Sequence, residues 1–216
     1  MPAVFIPQVY YHICNMGKLY FYYGTMNSGK SMYLLAKSHN FNERGIFHLL
    51  MKPAIDTRDE GVIHSRSLPE KTCITIPQNV LPSKIIMPYL VQSNLRLDWI
   101  LIDEAQFLTE AQINDLAGLV DSYHVSIICY GLRTDSMTHL FEGSKRLFEI
   151  ADTIEEIKST CSCGRKNIVN ARIDNDGDVV IGGNQIEVGG EDKYLSMCRK
   201  CYFDKVFGND TGIDEQ

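Results

Sequence analysis

Short apolar segments with strand character alternate with segments of helical periodicity along the first 130 residues. Residues 31–41 and 109–120 carry apolar side chains close to helical spacing, and each is predicted to be a helix that packs on a sheet. This alternation predicts an α/β fold with a mostly parallel sheet and helices on its faces. The predicted strands are Leu19 to Tyr23, Ile46 to Met51, Trp99 to Ile102 and Val125 to Tyr130.

The first predicted strand runs directly into a glycine-rich segment, residues 24–31, of the form G-x-x-x-x-G-K-S. Gly24 and Gly29 allow the backbone to curl so that successive N–H groups point at phosphate oxygens, and the helix that opens near Gly29 adds the positive end of its dipole. Lys30 would then reach the β- and γ-phosphates, and Ser31 would ligate Mg²⁺. The segment therefore predicts a P-loop that binds a nucleoside triphosphate.

Two carboxylates, Asp103 and Glu104, follow the predicted strand Trp99 to Ile102. A strand that ends in an acidic residue is the expected companion of a P-loop, and Asp103 is expected near the Mg²⁺. Glu104 would either orient a water molecule, as in an ATPase, or accept a proton from a substrate hydroxyl, as in a kinase. These residues alone leave both alternatives open.

Two arginines are candidates for the same crevice. Arg58 lies in the polar segment 52–68, which we expect to be a mobile loop near the phosphates. A guanidinium group there could stabilise charge on a transferring phosphoryl group. Arg133 follows the predicted strand that ends at Tyr130, and the sequence leaves its role open.

Four of the seven cysteines form two close pairs, Cys161 with Cys163 and Cys198 with Cys201. This layout is typical of a structural zinc ribbon, in which four thiolates close a tetrahedral site and leave no position for a catalytic water. Cys129 falls in an apolar strand and is expected to be a small buried hydrophobic residue. Clustered thiols favour a metal site in a reducing cytoplasm over disulfides.

The pattern of predicted elements changes near Lys158, after which short strands and glycine-rich turns follow. Residues 174–178 are acidic, but no glutamate occupies the last ligand position of a calcium loop and no helices flank the segment, so we predict a hairpin turn. The expected parts are an N-terminal extension at 1–15, a P-loop nucleotide-binding domain at 16–158, a zinc-ribbon domain at 159–207 and a flexible tail at 208–216.

Composition and charge exclude several classes of protein. The net charge of −6 argues against a protein that binds nucleic acid nonspecifically, because such proteins usually carry an excess of basic residues. No apolar run approaches the roughly 18 residues that a membrane-spanning helix needs. The first fifteen residues have no basic region or cleavage site of a secretory signal, and we expect the functional chain to begin near Met16.

Several motifs occur together in an order and spacing that resemble the type II thymidine kinases, in their bacterial and phage branch. The resemblance covers Met16 to Phe203 and rests on the P-loop, the four cysteines, 103–107 (DEAQF), 130–135 (YGLRTD) and 188–194 (VGGEDKY). It implies transfer of the γ-phosphate of ATP to the 5′-hydroxyl of thymidine or deoxyuridine, beneath a zinc-containing lasso domain. It also implies a homotetramer and feedback inhibition by thymidine triphosphate (dTTP).

The resemblance assigns roles to individual residues. It makes Glu104 the general base that accepts the proton of the 5′-hydroxyl, and it places Arg58 on the side of the phosphates. The residues that it places on the phosphates and Mg²⁺ are Gly24, Thr25, Met26, Asn27, Ser28, Gly29, Lys30, Ser31, Asp103 and Gln106. The residues that it places around the nucleoside are Met26, Phe107, Leu132 and Tyr194, with the lasso backbone at Gln185, Ile186, Glu187, Val188 and Gly189.

One position departs from the family pattern. This chain has Ser136 where the family usually has a phenylalanine that packs on the nucleoside, and we expect Phe141 to compensate.

Two alternatives from other classes remain open. One is a nucleic-acid-stimulated ATPase that grips its polymer with the zinc ribbon, and the other is a zinc-ribbon interaction module with an inactive nucleotide site. The net negative charge of the chain argues against the nucleic-acid-stimulated ATPase. The intact Lys30, Ser31 and Asp103 weigh against the second.

Overall fold

The computed structural model describes residues 16–55, 61–91, 96–182 and 193–208. The strands are β1 (Leu19–Gly24), β2 (His48–Pro53), β3 (Val62–Ile63), β4 (Lys71–Thr72), β5 (Ile74–Ile76), β6 (Trp99–Ile102), β7 (Ser126–Gly131), β8 (Thr153–Ile157), β9 (Val169–Arg172) and β10 (Tyr194–Met197). The helices are α1 (Lys30–Glu43), α2 (Pro82–Leu90), α3 (Glu110–Tyr123), α4 (Glu142–Ile150) and α5 (Arg199–Phe207), with a 3₁₀ turn at Ala105–Phe107.

A six-stranded parallel sheet in the order β5-β2-β6-β7-β1-β8 forms the centre of the larger part of the fold. The two central strands β6 and β7 are almost continuously apolar, as expected for strands that are covered on both faces. Their side chains alternate between two cores, so that Ile127 and Cys129 pack with one and Ile128 and Tyr130 with the other. The α/β class with helices on both faces is therefore confirmed.

Helices α2, α3 and α4 contribute to the first of these cores, and α1 contributes to the second. The two helices expected from periodicity are present: α1 extends beyond its predicted range at both ends, whereas α3 begins one residue after its predicted start and ends three residues after its predicted end. At the start of α3, Thr109 and Gln112 form a reciprocal capping box, in which the Gln112 N–H donates to Thr109 Oγ1 at 3.2 Å and the Thr109 N–H donates to Gln112 Oε1 at 3.1 Å. These caps fix where the helix begins after the 3₁₀ turn.

The expectation of an uninterrupted loop over 52–68 was wrong in part. Lys52 and Pro53 belong to β2, where Lys52 is only 2% exposed and pairs with Thr75 of β5. Further along, β3 pairs with β4 in a small antiparallel sheet. A lysine and a proline are common in loops, so their place in a buried strand could not be recognised from composition. Arg58 lies outside the described residues.

A smaller unit follows β8, which ends at Ile157, one residue before the predicted boundary. Its antiparallel strands β9 and β10 and helix α5 surround a small core of Cys161, Ala171, Met197 and Cys198. The hairpin turn at 174–178 is confirmed, because Asp174 Oδ1 accepts two backbone N–H groups of the turn and Gly177 has a φ of +86°. We call residues 159–182 and 193–207 the cysteine module. None of the described helices has the length and apolar character that crossing a bilayer requires.

Candidate functional site

The glycine-rich loop connects β1 to α1 at the carboxyl edge of the sheet. Its tight curl uses left-handed backbone at Asn27 (φ +59°) and at Gly29 (φ +91°). Gly24 has no room for a side chain, because a Cβ there would lie 2.4 Å from Ser28 Oγ and 2.6 Å from the Ile157 carbonyl oxygen. The two glycines of the motif are therefore required by geometry, one by its φ and the other by close approach.

Lys30 and Ser31 lie at the start of α1 and face the end of β6. The Lys30 side chain is 7% exposed, and its Nζ donates to the Thr25 carbonyl oxygen at 2.8 Å. The Ser31 side chain and the Lys30 charge both favour the ionised form of the Asp103 carboxylate and so act to lower its pKa. The parallel sheet thus brings together residues more than 70 positions apart in the sequence.

Asp103 is a buried carboxylate, 4% exposed, whose backbone N–H continues the β2–β6 ladder by donating to the Met51 carbonyl oxygen at 2.9 Å. Burial, and then repulsion from Glu104, raise the pKa of Asp103 to about 6 despite the opposing effects of Ser31 and Lys30. The Ser31 hydroxyl and the buried Asp103 carboxylate, which it influences, are oxygen donors of the kind that Mg²⁺ prefers. The residues present therefore fit a magnesium ion held between α1 and β6.

Glu104 has left-handed backbone, with φ +51° and ψ +35°, which is uncommon for a residue with a side chain and occurs preferentially at functional sites. Its N–H donates to Asp103 Oδ1 at 3.0 Å, and its Oε2 accepts the Gln106 side-chain amide at 2.5 Å. The partly buried carboxylate is thus held by its neighbours at the open edge of the sheet.

Gln106 uses both ends of its amide within the protein. Besides the bond to Glu104, its Oε1 accepts the Leu132 N–H at 3.0 Å, and the side chain is 1% exposed. The close fit depends on Gly131, where a Cβ would lie 2.8 Å from Gln106 Oε1. These bonds hold Glu104 in position against the end of β7, a role that the sequence pattern did not indicate. The expected contact of Gln106 with the cofactor stays a prediction.

Three of the residues expected around the nucleoside, Phe107, Leu132 and Phe141, follow the ends of β6 and β7 in the chain. The rings of Phe107 and Phe141 meet edge to face with centroids 5.6 Å apart. Leu132 is fixed through its N–H by Gln106 and through its carbonyl oxygen by Ser144 Oγ, which donates at 2.5 Å. Leu132 is thus linked through Gln106 to Glu104, whereas the two phenylalanine rings contact each other.

The remaining nucleoside-side residues belong to the loop and to the cysteine module. Tyr194 lies two positions before Ser196 on β10 and therefore on the same face of that strand. Ser196 Oγ donates to the Met26 carbonyl oxygen at 2.8 Å, so this face of β10 is turned toward the loop. The lasso residues Gln185 to Gly189 lie outside the described residues.

Ser136 lies in a compact turn after β7. Asp135 Oδ1 accepts the N–H groups of Met137 and His139, both at 2.9 Å, and the Ser136 carbonyl oxygen accepts the Tyr202 hydroxyl of α5 at 3.4 Å. The turn is thus fixed by Asp135 and by the backbone of Ser136, whereas the Ser136 side chain makes none of these contacts.

The four cysteines of the module converge, with their sulfur atoms all within 4.8 Å of one another. The Cys163 and Cys198 sulfurs are 3.5 Å apart, and the Cys201 N–H donates to Cys198 Sγ at 3.4 Å. Hydrogen bonds from backbone N–H groups, foremost that of Cys163, lower the pKa of the Cys161 thiol to about 6. Four sulfur donors that can close on one point fit a structural Zn²⁺ site.

The structure also shows polar residues of the cysteine module in contact with the glycine-rich loop, which sequence reasoning missed. Ser159 Oγ lies 2.7 Å from Thr25 Oγ1, and Asn170 Oδ1 accepts the Met26 N–H at 2.8 Å. Arg133, whose role the sequence left open, donates to the Ile168 carbonyl oxygen of the module at 3.3 Å. Asn170 is a single polar residue in a short strand, and Ser159 and Arg133 lie in connecting segments, so no sequence pattern could have identified these contacts.

Comparisons with known proteins show which family this chain resembles. The thymidine kinase family model matches residues 17–202. The thymidine kinase of Pasteurella multocida is 45% identical over 193 residues, which cover 88% of this chain and 99% of the relative. That of Zymomonas mobilis is 44% identical over 192 residues, which cover 88% and 98%, respectively. With its P-loop, its paired carboxylates and its four converging cysteines in the matched region, the chain belongs to the thymidine kinase family.

Proposed function

We propose that this chain transfers the γ-phosphate of Mg-ATP to the 5′-hydroxyl of thymidine and, as a second acceptor, of deoxyuridine. The observation that carries the proposal is the meeting of the loop residues Lys30 and Ser31 with Asp103 and Glu104 at one edge of the sheet. Family membership supports a thymidine kinase, and this geometry supports the assignment of the steps to residues.

In the proposed step, the Glu104 carboxylate accepts the proton of the 5′-hydroxyl. The O5′–phosphorus bond forms at the γ-phosphate while the bond from phosphorus to the β–γ bridging oxygen breaks, and ADP leaves. Glu104 suits this role because its backbone conformation and Gln106 direct the carboxylate, while Asp103 occupies the position next to Ser31. General-base catalysis of this kind typically contributes about 10²- to 10⁴-fold to the rate.

The loop N–H groups and Lys30 would bind the phosphates, and Ser31 and Asp103 would hold Mg²⁺. Bound there, Mg²⁺ would neutralise part of the charge on the β- and γ-phosphates. Arg58 is proposed to contact the transferred group from the segment that lies outside the described residues. Both the lysine and the buried carboxylate are oriented by the fold before substrate arrives, which lowers the cost of assembling the site.

The nucleoside is proposed to bind against Met26, Phe107, Leu132 and Phe141, with Tyr194 and the lasso backbone at Gln185 to Gly189 on the opposite side. The edge-to-face pair of Phe107 and Phe141 supports an apolar wall for a pyrimidine ring. Recognition of the base by backbone groups would explain why no polar side chain for thymine stands out in the sequence.

The remaining proposals concern the assembly and the setting of the enzyme. We propose a nucleotide-binding domain at 16–158 and a zinc-ribbon lasso domain at 159–207, a homotetramer, and inhibition by dTTP. The four clustered thiols support a reducing, cytoplasmic setting. The net charge of −6 supports a chain that does not bind nucleic acid directly.

A panel of acceptors tests the proposed substrate. Mg-ATP labelled in the γ-phosphate is incubated with thymidine, deoxyuridine, deoxycytidine or deoxyguanosine, and labelled monophosphate is measured. We expect transfer to thymidine and deoxyuridine and little to the other two. Preferred transfer to deoxycytidine would contradict the assigned pocket, and ATP hydrolysis that is stimulated by DNA or RNA would favour the ATPase alternative.

Replacing Ser136 tests the alignment of the turn after β7. We expect Ser136→Phe to leave the KM for thymidine unchanged or to lower it, because the turn is fixed by Asp135 and by the Ser136 carbonyl, neither of which the change removes. KM for thymidine and for ATP are measured in parallel. A sharp rise in KM for thymidine alone would show that this turn has been matched to the wrong family position.

Replacing Gln106 tests how Glu104 is held. We expect Gln106→Leu to lower kcat about tenfold and to reduce the free energy of unfolding by about 1–3 kcal/mol, because the Leu132 N–H loses its buried acceptor and Glu104 loses the hydrogen bond from Gln106. Gln78→Leu, at an exposed position, is the control. An unchanged kcat in Gln106→Leu would show that Glu104 does not depend on this bond.

A further inference from the structure

The cysteine module contacts the glycine-rich loop through side chains that the proposed transfer step does not use. Asn170 Oδ1 accepts the Met26 N–H at 2.8 Å, and Ser196 Oγ donates to the Met26 carbonyl oxygen at 2.8 Å. Ser196 Oγ also lies 3.2 Å from Asn170 Oδ1. Both backbone polar groups of one loop residue are therefore bound by the module.

The two side chains are placed by the register of the small sheet. Asn170 of β9 pairs directly with Ser196 of β10, so that both side chains lie on one face. Asn170 is 3% exposed, and its partner on the loop is separated from it by 144 positions in the sequence. Because Asn170 is almost fully buried, water replaces its hydrogen bond to the loop poorly, which makes the contact energetically significant.

A second link binds the preceding loop residue. Thr25, which is 8% exposed, lies with its Oγ1 2.7 Å from Ser159 Oγ, and Asn167 Nδ2 donates to Ser159 Oγ at 3.0 Å. Two successive residues of the loop, just before its left-handed turn, are thus held from the module.

These contacts lie next to the cysteines in the chain. Ser159 precedes Cys161 by two residues, and Ser196 precedes Cys198 by two residues. Because the sulfurs of Cys161 and Cys198 lie within 4.8 Å of each other, a metal ion bound by the four cysteines would fix both serines relative to each other. The short segments that carry the cysteines therefore also carry the serines that contact the loop.

We propose that Asn170 and Ser196 are positioning residues that fix Met26 and, through it, the curl of the phosphate-binding loop. Metal binding at the four cysteines and triphosphate binding at the loop then strengthen each other, since a coupling between two sites is reciprocal. The inference rests on the proposed function in one respect, namely that the loop binds the phosphates of ATP.

The first test measures the binding of a non-hydrolysable ATP analogue, with Mg²⁺, to the zinc-loaded full chain. We expect about tenfold weaker binding for Asn170→Ala and for Ser196→Ala, the effect of one lost hydrogen bond. Ser196→Thr keeps the hydroxyl and is expected to bind the analogue as the wild type does. Asn175→Ala, at an exposed position of the 174–178 turn, is the matched control for the asparagine. Zinc content and the thermal midpoint of each variant show that it is folded.

The second test measures how fast a chelator removes zinc, with and without the analogue. We expect the analogue to slow zinc release in the wild type and in Asn175→Ala, and to slow it much less in Asn170→Ala. This readout does not depend on catalysis, and general destabilisation of the module would speed zinc release without removing the effect of the analogue.

The outcomes separate the two claims. If the wild type binds the analogue and the Asn170 and Ser196 variants bind it equally well, the positioning role is overturned while the proposed function stands. Equal protection of zinc in Asn170→Ala and in the wild type would also overturn it. If the wild type binds no analogue, the proposed function fails and this inference fails with it.

Discussion

Glu104→Gln is expected to lower kcat by about 10²- to 10⁴-fold and to leave the affinity for Mg-ATP nearly unchanged. The substitution keeps the shape of the side chain but removes the group that would accept the 5′-hydroxyl proton. The Glu104 backbone N–H that donates to Asp103 is unaffected, and Lys30 and Ser31 remain in place. The measurements are single-turnover transfer to thymidine and direct binding of a non-hydrolysable ATP analogue.

The matched control for this variant is Glu43→Gln, at an exposed position near the end of α1. It changes the net charge of the chain by the same amount without touching the site, and wild-type turnover is expected. Full turnover in Glu104→Gln would refute the general-base role. A large loss of ATP binding in that variant would instead assign Glu104 to the phosphates.

Cys163→Ser is expected to abolish stoichiometric zinc binding and to lower the thermal unfolding midpoint strongly. Binding of a structural zinc ion by small domains is worth about 10–16 kcal/mol, and the module has only a small core of its own, so the metal would supply much of its stability. Zinc content is measured by atomic spectroscopy and unfolding by calorimetry. Cys73→Ser, which replaces a half-buried thiol outside the cluster, is expected to retain zinc.

The same variant separates a structural from a catalytic metal. The four sulfurs of the cluster would complete the coordination and leave no open position, so we assign zinc no part in phosphoryl transfer. Retention of one zinc ion per chain by Cys163→Ser would contradict the four-cysteine site. An unchanged unfolding midpoint after complete removal of zinc from the wild type would contradict the structural role of the metal.

The parts of the fold and site that could be predicted from the sequence are those with local patterns. The P-loop has fixed spacing because its curled backbone, its lysine and its hydroxyl must all contact the same triphosphate. Asp103 was predicted because it directly follows a clearly apolar strand. The cysteine pairs are recognised because a tetrahedral site requires two short segments with two sulfurs each. In each case the chemistry restricts neighbouring residues, so the signal is contained in a few positions.

The contacts between the two parts of the chain could not be predicted in this way. Asn170 and Ser196 meet Met26 across 144 and 170 positions, and nothing in their immediate surroundings distinguishes them from ordinary polar residues in strands. The role of Gln106 depends on the direction of a buried side chain, which the DEAQF segment alone does not determine. Lys52 was predicted to lie in a loop because lysine is usually exposed. It is buried because β5 pairs with its strand, and this pairing is not visible in the local sequence.

The central claim is that phosphate passes from ATP to the 5′-hydroxyl of thymidine at the site where Lys30, Ser31, Asp103 and Glu104 meet. The most direct measurement is the amount of ADP and of thymidine 5′-monophosphate formed over time, followed by phosphorus NMR with and without thymidine. We predict equal amounts of the two products when thymidine is present and almost no ADP when it is absent. Equal ADP formation in both reactions would show that water is the acceptor and would contradict the account.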